Sequence, residues 1–505
     1  MKPIITVDIE TYSPQDIAKV GAYRYAQDPD FQILLLGYAP GDADKVTVLD
    51  LTLEPDPERF LREQLPWLLD ASYTKRAHNA AFEWWCLSEA MGLGWAQRIY
   101  WLQQWECSMV HALYCGLPAQ LGALGAALKQ PEDALKMKEG KALIAYFCKP
   151  CKPTKRNGGR TRNLPQHDPD KWKLFCKYNG MDVIAERAND RKLAPWPVPE
   201  EIMQQWREDV EMNARGVAVD MALVKGALAC SALITEEQTT ESKTLTGLAN
   251  PGSRAQLLGW LHNRGVELPG LTKEDVTHAL AGELPSDVRR VLELRQQLGK
   301  TSNAKYETIA ASAGPDHRVR GTLQFYGASR TGRWAGRLLQ VQNLPRTYLD
   351  HQAEWRSIVK LHDPEALALL TDNVSDTLSQ LIRTALVPGE GCTFIDSDFS
   401  AIEARLIAWL AGEEWVLDVF RTTGKIYEAT AARIFGVPFD SIVKGNPNYR
   451  YRQRGKVATL ALGYQGGVGA MKRMGGDQLG LDDEGLQDIV NRWRRQNPRI
   501  LKLLS

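Results

Sequence analysis

The sequence predicts an α/β region followed by mainly helical regions. Residues 1–190 alternate apolar runs of strand length with helix-like segments, which is typical of an α/β domain. The run Leu193-Ala-Pro-Trp-Pro-Val-Pro199 then interrupts the pattern, because its three prolines cannot continue a helix. Beyond it, apolar residues recur at three- and four-residue spacing to about residue 312. We therefore predict an α/β domain at 1–192, an extended linker at 193–200 and a helical region at 201–312.

The bulk composition is that of a globular protein with several domains. The chain has 505 residues, of which 44% are apolar and 24% charged, and it has no apolar run of membrane-spanning length. Eight cysteines are too few for a disulfide scaffold and fit a reducing cytoplasm. Incidental cysteines are the plainer interpretation of Cys148, Cys151 and Cys176, although a zinc site with His167 stays open. We expect a cytoplasmic protein without a membrane partner.

The first strand of the α/β region carries two acids. We expect strands at Ile4–Val7, Ile33–Gly37 and Val46–Leu49. Asp8 and Glu10 stand two residues apart, so both side chains leave the same face of the strand. Two carboxylates on one face can share a pair of Mg²⁺ ions. The Asp-Ile-Glu triplet alone is weak evidence for a metal site, because acid pairs on strands often lie only on the exposed side of a sheet edge.

Two later segments strengthen the metal-site interpretation. Glu83 follows Asn79 by four residues, where a loop leads into a helix. Tyr178 precedes Asp182 by four residues, so the two lie one helical turn apart on one face. In that arrangement the acid can bind a metal ion while the phenol orients the attacking water.

Together these segments resemble the ExoI, ExoII and ExoIII motifs of the DEDDy proofreading exonucleases. The resemblance implies an RNase H-like fold for residues 1–192, with a 3′ end of single-stranded DNA as substrate. It implies Asp8, Glu10 and Asp182 as ligands of two Mg²⁺ or Mn²⁺ ions and Tyr178 as the water-orienting group. That family usually has aspartate at the position of Glu83. We expect Glu83 to take the catalytic role of that aspartate with a side chain that is longer by one methylene.

The second half of the chain mixes strand-like and helical patterns. Residues 319–345 indicate strands and turns, and Gly391–Asp398 is an apolar run ending on acids, which predicts a core strand. Residues 401–412 and 426–505 predict helices. We divide this half at residue 412, into 313–412 and 413–505.

Asp398-Phe-Ser-Ala-Ile-Glu-Ala-Arg405 resembles motif A of family A DNA polymerases. An isolated acid at this place would more simply cap a helix. The resemblance implies that the Asp398 carboxylate and the Phe399 carbonyl bind two catalytic metal ions. It also implies that Glu403 helps to exclude a ribose 2′-hydroxyl.

Arg452, Lys456, Leu460 and Tyr464 recur every four residues, which predicts one row on a helix. Cations followed by flat or apolar groups suit an incoming nucleotide, although a solvated basic helix shows a similar pattern. The row resembles motif B of the same polymerases, which implies that Arg452 and Lys456 hold a dNTP triphosphate and that Tyr464 lies near the templating base. Leu460 stands where Phe or Tyr is usual.

Thr331-Gly-Arg333 and Gln342-Asn-Leu-Pro345 are spaced like the primer–template contact segment of that family. The resemblance implies that Arg333 contacts the primer terminus or nucleotide and that Gln342 and Asn343 contact the minor groove. Tyr427 stands in a segment similar to the fingers before motif B. The sequence around Lys456 and Tyr464 is closest to phage-encoded members.

The complete resemblance is to a right-hand DNA polymerase with an N-terminal proofreading exonuclease, a thumb-like helical region, and a partial palm and fingers. Its partners would be a DNA primer–template and dNTPs. No His-Asp-Glu triplet of motif C follows Lys456. We therefore expect this chain alone to polymerise poorly or not at all, unless a second polypeptide supplies motif C. A truncated gene product and one half of a split polymerase both stay open. The alternatives are an exonuclease whose polymerase-derived region only grips DNA, and a non-enzymatic DNA-binding protein.

Basic residues are clustered although the net charge is only +1. An acid-free segment of eleven residues contains Lys152, Lys155, Arg156, Arg160 and Arg162. Similar clusters lie at 450–456 and 492–499. Such clusters bind phosphates in nucleic-acid-binding proteins, and a solvated basic face is the plainer interpretation of any one of them.

Overall fold

The computed structural model describes residues 2–41, 43, 45–298, 303–328, 330–371, 373–476 and 480–505. The chain forms two compact units, Met1–Thr393 and Phe394–Ser505. Among the described helices, none combines the length and the apolar character needed to cross a membrane.

The first unit begins with a mixed sheet in the strand order β3-β2-β1-β4-β5. Strand β2 runs antiparallel to both of its neighbours, β1 and β3, whereas β4 and β5 continue the sheet parallel to β1. The three strands predicted from the sequence are confirmed as β1, β2 and β3. The bounds are β1 Ile4–Tyr12, β2 Gln32–Pro40, β3 Thr47–Asp50, β4 Thr74–Ala77 and β5 Trp105–Cys107.

Helices cover this sheet and bury an aromatic core that includes Trp84, Trp101 and Trp105. The helix α9 packs on β1 and β2. It starts sharply because Asp168 accepts a hydrogen bond from the Lys171 amide and proline occupies the first helical position. The bounds are α1 Ile17–Ala26, α2 Pro57–Glu63, α3 Pro66–Leu69, α4 Ala81–Ala90, α5 Trp95–Leu102, α6 Ser108–Tyr114, α7 Leu121–Ala127, α8 Gly140–Phe147 and α9 Pro169–Leu193.

The proline-rich segment separates α9 from α10 without helix, as predicted. The region that follows is mainly helical and belongs to the same compact unit. The predicted domain boundaries within this unit stay predictions. The helices are α10 Glu200–Arg215, α11 Met221–Thr246, α12 Arg254–Asn263, α13 Lys273–Leu280, α14 Ser286–Leu298 and α15 Ala304–Ser312.

Short strands and further helices complete the first unit. One small sheet has the order β10-β6-β7, and β8 and β9 form an antiparallel hairpin. The predicted strand-and-turn character of 319–345 is confirmed. The bounds are β6 Val217–Val219, β7 Arg318–Val319, β8 Leu323–Ala328, β9 Arg333–Gly336, α16 Gln352–Lys360, α17 Pro364–Leu370, α18 Val374–Leu381 and β10 Leu386–Val387.

The second unit is helical within its described residues, as the sequence predicted for 401–412 and 426–505. Its main core joins helices through Ile434, Val457, Leu486, Val490 and Trp493. The bounds are α19 Ile402–Ala411, α20 Glu414–Thr422, α21 Ile426–Phe435, α22 Arg450–Leu462, α23 Val468–Arg473, α24 Asp483–Gln496 and α25 Pro498–Leu504.

The core strand predicted at Gly391–Asp398 is wrong. Residues 392–399 have no strand conformation, and the exposed fractions of Phe394, Ile395 and Phe399 are 57%, 90% and 80%. An apolar run becomes a strand only where a neighbouring strand accepts its hydrogen bonds. No described residue pairs with this segment in a sheet. The sequence pattern therefore identified the segment as apolar correctly, but the burial predicted from it is wrong.

Candidate functional site

Three carboxylates from distant parts of the sequence meet in the first unit. One oxygen of each of Asp8, Glu10 and Asp182 lies within 4.8 Å of the others. Asp8 and Glu10 come from β1, and Asp182 comes from α9. The sequence prediction that these groups converge is therefore confirmed in the geometry.

A glycine and an asparagine bring α9 onto the strand. A Cβ atom on Gly37 of β2 would lie only 2.5 Å from Asn179 Oδ1, so glycine is required for this approach. Asn179 Nδ2 donates hydrogen bonds to Asp8 Oδ2 at 2.6 Å and to the Asp8 carbonyl at 3.2 Å. These contacts fix the position of α9 along β1, and with it the position of Asp182.

Burial makes this cluster difficult to ionise. It raises the pKa of Asp8 to about 8, with the charge of Asp182 as the second cause. The pKa of Glu10 is raised well above its usual value by burial and then by Asp8 and Asp182. Burial also raises the pKa of Asp182, and Lys136 opposes that change. Ionising these acids as a group therefore needs compensating positive charge.

The donor set fits a hard divalent cation. Asp182 is only 3% exposed, and its Oδ1 atom accepts no hydrogen bond from any described residue. Buried carboxylate oxygens close together are the ligands that Mg²⁺ and Mn²⁺ prefer. The cluster therefore satisfies the chemical requirements of a divalent-metal site.

Tyr178 lies one turn before Asp182 on α9 and faces the cluster. Its ring stacks on Phe175 at 6.1 Å between centroids. Burial, followed by the charges of Asp182 and Glu10, raises the pKa of the phenol. The hydroxyl therefore stays protonated at neutral pH and is available as a hydrogen-bond donor.

Glu83 is near the cluster but is not a member of it. It lies in the first turn of α4 and is buried. Burial and then the charge of Asp8 raise its pKa well above the usual value. Its Oε2 atom accepts no hydrogen bond within the described residues. A role through water or an ion is compatible with that unsatisfied oxygen.

Sequence reasoning missed three polar neighbours of the cluster. Lys136 Nζ lies 2.5 Å from Asp182 Oδ2 and 5.0 Å from the centroid of the Tyr178 ring. Glu186 is buried one turn after Asp182, and burial raises its pKa to about 8. Asn179 and Glu186 share the helical face of Asp182, so helical periodicity could have found them. Lys136 precedes α8 in a non-helical segment and carries no such signal.

A second group of predicted residues lies on the β8–β9 hairpin of the first unit. Arg333 begins β9 and is exposed. Gln342 packs on Gly336, where a Cβ atom would come within 2.2 Å of its Nε2 atom. Asn343 Nδ2 donates a hydrogen bond to Gln340 Oε1 at 3.0 Å. The structure thus brings Gln342 beside the strand that carries Arg333.

In the second unit, Asp398 and Phe399 lie in the exposed segment before α19, and Glu403 lies in the first turn of that helix.

The predicted row of four on α22 is correct for Arg452, Lys456 and Leu460 but wrong for Tyr464. The helix ends at Leu462, and the turn that follows brings Gly466 against the Ala461 carbonyl, where a Cβ would come within 2.0 Å. Tyr464 therefore lies in the turn after the helix and is exposed.

Arg452 is held by the neighbouring helix. Its Nε atom donates to Glu428 Oε1 of α21 at 2.8 Å, and its guanidinium carbon lies 5.7 Å from the Tyr427 ring centroid. The Glu428 hydrogen bond raises the pKa of Arg452. The close approach of α21 and α22 depends on Gly455, because a Cβ atom at this position would lie only 2.3 Å from the Tyr427 carbonyl oxygen. The structure thus orients one of the two predicted triphosphate cations.

Comparison with known proteins places this geometry in a family context. Residues 233–504 match the family described as DNA polymerase family A. A DNA polymerase of Bacillus phage SP02 is 48% identical over 498 residues, which are 99% of this chain and 75% of the phage protein. The thermostable DNA polymerase I of Thermus thermophilus is 24% identical over 369 residues, covering 71% of this chain and 40% of that protein.

One solved structure gives the fold comparison. It is the POL domain of Pol1 from M. smegmatis, in complex with DNA primer–template and dNTP. The TM-score is 0.58 at 17% identity, with 99% of this chain and 74% of that chain covered. At this sequence identity the comparison shows a similar fold.

Proposed function

This chain belongs to DNA polymerase family A, and we propose that it is a template-directed DNA polymerase whose N-terminal region is a 3′–5′ proofreading exonuclease. The observation that carries the exonuclease assignment is the convergence of Asp8, Glu10 and Asp182 beside the phenol of Tyr178. The mixed sheet with β1 at its centre supports an RNase H-like fold for residues 1–192.

The exonuclease residues have distinct roles in this proposal. Two Mg²⁺ or Mn²⁺ ions held by Asp8, Glu10 and Asp182 would activate water and stabilise the leaving oxygen of a phosphodiester. The Tyr178 hydroxyl orients the attacking water, since its ring is held between Phe175 and Gly140. Glu83 would act beside Asp8 through its unsatisfied Oε2 atom, by way of water or an ion. Lys136 balances the charge of Asp182.

The polymerase residues are proposed by their positions in the second unit. Asp398 and the Phe399 carbonyl would bind two metal ions, and Glu403 would exclude a ribose 2′-hydroxyl. Arg452 and Lys456 would hold the dNTP triphosphate, with the remaining motif B residues near the base. Support comes from the ordered α21–α22 pair, which fixes Arg452 through Glu428. The proposed nucleotide residues are Glu403, Arg452, Lys456, Leu460 and Tyr464.

Contacts to the primer–template are proposed for Arg333, Gln342 and Asn343. The hairpin β8–β9 presents Arg333, and the packing of Gln342 on Gly336 keeps the amide beside it. Polar amides and arginine are the side chains that read minor-groove acceptors. The M. smegmatis POL domain was solved with a DNA primer–template, which supports DNA as a partner of this chain.

An exposed apolar face in the second unit supports a further protein contact. Ile402, Leu406, Trp409 and Leu410 on α19 are exposed, as is Phe399 just before it. Apolar groups at this density mark an interaction surface. We propose that a further polypeptide carrying the motif C carboxylates covers them. Adding that polypeptide should increase primer extension, and an unchanged extension rate would contradict this contact.

Primer shortening and primer extension test the two activities separately. The full chain is incubated with a 5′-labelled primer–template and Mg²⁺, with and without dNTPs, and the extension assay is run with the motif C polypeptide added. Asp8→Ala should abolish shortening, and Asp398→Ala should abolish extension while leaving shortening intact. Asp30→Ala, which removes an exposed acid of the first unit, is the matched control.

The same experiment separates the competing functions. Shortening without extension, even with the motif C polypeptide present, supports a nuclease whose polymerase-derived region only grips DNA. DNA binding without shortening or extension supports a non-enzymatic DNA-binding protein. Extension lost in Asp398→Ala supports the polymerase.

A further inference from the structure

A basic loop adjoins the carboxylate cluster. It comprises residues 149–162 and carries six basic side chains and no acid, in a chain whose net charge is +1. The six residues are Lys149, Lys152, Lys155, Arg156, Arg160 and Arg162. None of these has a role in the two-metal chemistry proposed above.

One end of the basic loop contacts the cluster, and the other end contacts the strand that carries two of its members. Cys148, just before the loop, donates from Sγ to Glu10 Oε2 at 3.9 Å. At the other end, the Arg162 guanidinium carbon lies 3.6 Å from the ring centroid of Tyr12, two residues after Glu10 on β1. Arg162 Nη2 also donates to Gln32 Oε1 at 2.7 Å. The loop therefore starts beside the candidate ligand Glu10 and finishes against β1, the strand that carries Asp8 and Glu10.

The interior of the basic loop is held by hydrogen bonds of its own. The Cys151 amide donates to the Thr161 carbonyl at 2.7 Å, which closes the loop. Thr154 and Asn157 exchange side-chain and backbone hydrogen bonds. Arg160 donates to the Asn157 carbonyl and to Asn163 Oδ1. An ordered loop presents its charges without a large entropic cost on binding.

The tip of the loop faces solvent. Lys152, Lys155 and Arg156 are exposed, while Arg160 is partly buried and hydrogen-bonded. Exposed cations on a preformed loop attract phosphates, and each phosphate neutralised releases counterions. The arrangement differs from a solvated basic face because the charges are concentrated at one place beside a carboxylate cluster.

We propose that the basic loop binds the phosphates of single-stranded DNA whose 3′ end is held at the carboxylate cluster. This inference rests on the proposed exonuclease function and names the part of the chain that grips its substrate. A single strand fits better than a duplex because the ligands are enclosed. Glu10 is only 8% exposed, so the terminal phosphodiester must enter a recess.

Two substrates of different length test the inference on the full chain. One is a 5′-labelled twelve-nucleotide single strand, and the other is the p-nitrophenyl ester of thymidine 5′-phosphate, whose single phosphate is the one hydrolysed at the cluster and leaves none for the loop to bind. The variant is Lys152→Ala/Lys155→Ala/Arg156→Ala. The matched control removes three exposed bases elsewhere in the first unit, as Lys2→Ala/Lys19→Ala/Arg59→Ala.

The loop variant should lower kcat/KM for the twelve-mer by about tenfold or more at low salt. The slope of log kcat/KM against log salt should become shallower by about 2, since each single-strand phosphate contact contributes about 0.7. Hydrolysis of the small ester should stay within about twofold of the unmodified chain. The control should match the unmodified chain on both substrates.

Three results would overturn the inference. The first is an unchanged kcat/KM and salt slope for the twelve-mer, and the second is an equal loss on the small ester, which would mean that the loop only supports the site. The third comes from a parallel assay on blunt duplex DNA and is a larger loss there than on the twelve-mer, which would assign the loop to double strands. If the unmodified chain hydrolyses neither substrate, the proposed exonuclease itself fails, and that result is distinct from all three.

Discussion

Gly140 lies so close to Tyr178 that a Cβ atom at this glycine would come within 2.1 Å of Cε2 and 2.6 Å of Cζ of the ring. The ring cannot move freely, since it is buried and stacked on Phe175. The first residue of α8 therefore sets where the phenol hydroxyl lies. Gly140, which has no side chain, thus positions Tyr178, which has a proposed role in catalysis.

Gly140→Ala should displace the phenol and slow the exonuclease. We expect single-strand degradation to fall by about tenfold or more and the free energy of unfolding to fall by about 1–3 kcal/mol, because the added methyl overpacks a closed site. A gel assay and chemical denaturation measure the two effects. Gly259→Ala in α12 is the control, because among the described residues the new methyl would meet no atom within 4 Å beyond its chain neighbours and its own helix backbone. An unchanged degradation rate in Gly140→Ala would refute the positioning role.

Lys136→Met should change metal affinity and stability in opposite directions. Removing the ammonium beside Asp182 removes a charge that repels a divalent ion, so we expect Mn²⁺ to bind about threefold to tenfold more tightly. Without metal the melting temperature should fall, because a buried carboxylate loses its cation. Titration calorimetry and thermal unfolding in a chelator measure these effects. Lys138→Met, at a neighbouring lysine, is the control, and weaker Mn²⁺ binding by Lys136→Met would contradict the prediction.

Asp209 should make folding stability depend on pH. Burial raises the pKa of this carboxyl to about 6, against 3.8 for the unperturbed group. Between about pH 4 and pH 6 the folded chain therefore holds more protons than the unfolded chain, and stability falls as pH rises. Above pH 6 the penalty is complete and of the order of 2–3 kcal/mol.

Asp209→Asn should remove that penalty. An amide oxygen can still accept the hydrogen bond that Trp334 Nε1 donates at 2.8 Å. Relative to the unmodified chain, the variant should gain about 2 kcal/mol more at pH 8 than at pH 4.5, as measured by chemical denaturation at both values. Asp30→Asn, at an exposed acid, is the control. If the variant and the unmodified chain differed in stability by the same amount at both pH values, ionisation of Asp209 would carry no penalty in the folded state.

Gly455→Ala should separate α21 from α22. Its methyl would lie 2.3 Å from the Tyr427 carbonyl oxygen and 2.9 Å from the Ala431 methyl, and a backbone oxygen cannot rotate away. We expect a loss of about 2–3 kcal/mol in stability and weaker dNTP binding, since Arg452 loses its partner on α21. Thermal unfolding and nucleotide titration measure the outcome. Gly469→Ala should be nearly neutral, because outside its own helix backbone the one described atom that its methyl would meet is Arg473 Nη1 at 3.8 Å.

The candidate metal site was predictable because its ligands obey local periodicities. Asp8 and Glu10 follow the two-residue period of a strand, and Tyr178 and Asp182 follow the turn of a helix. Their side chains are therefore oriented by secondary structure alone. The family resemblance then indicated which strand face and which helix face meet, and the structure confirmed that the three carboxylates do.

Contacts that depend on tertiary packing were not predictable. Lys136 reaches Asp182 from a non-helical segment, where no period fixes the direction of a side chain. Gly140 looks like an ordinary glycine until the Tyr178 ring is placed against it. The run at 391–398 has strand-like composition, but pairing requires a neighbour that a local pattern cannot reveal. The helical position predicted for Tyr464 was wrong because α22 ends at Leu462, and the backbone then turns with Gln465 at a φ of 58°.

The 25-residue helix α9 carries Tyr178, Asn179, Asp182 and Glu186 on one rigid rod. A mutation that tilts this rod, even near Asp190 where it meets Arg76, would shift the phenol and the carboxylates together. Laboratory evolution of cleavage rate should therefore accumulate its beneficial changes in the surrounding loops, and substitutions along the rod should mostly be lost.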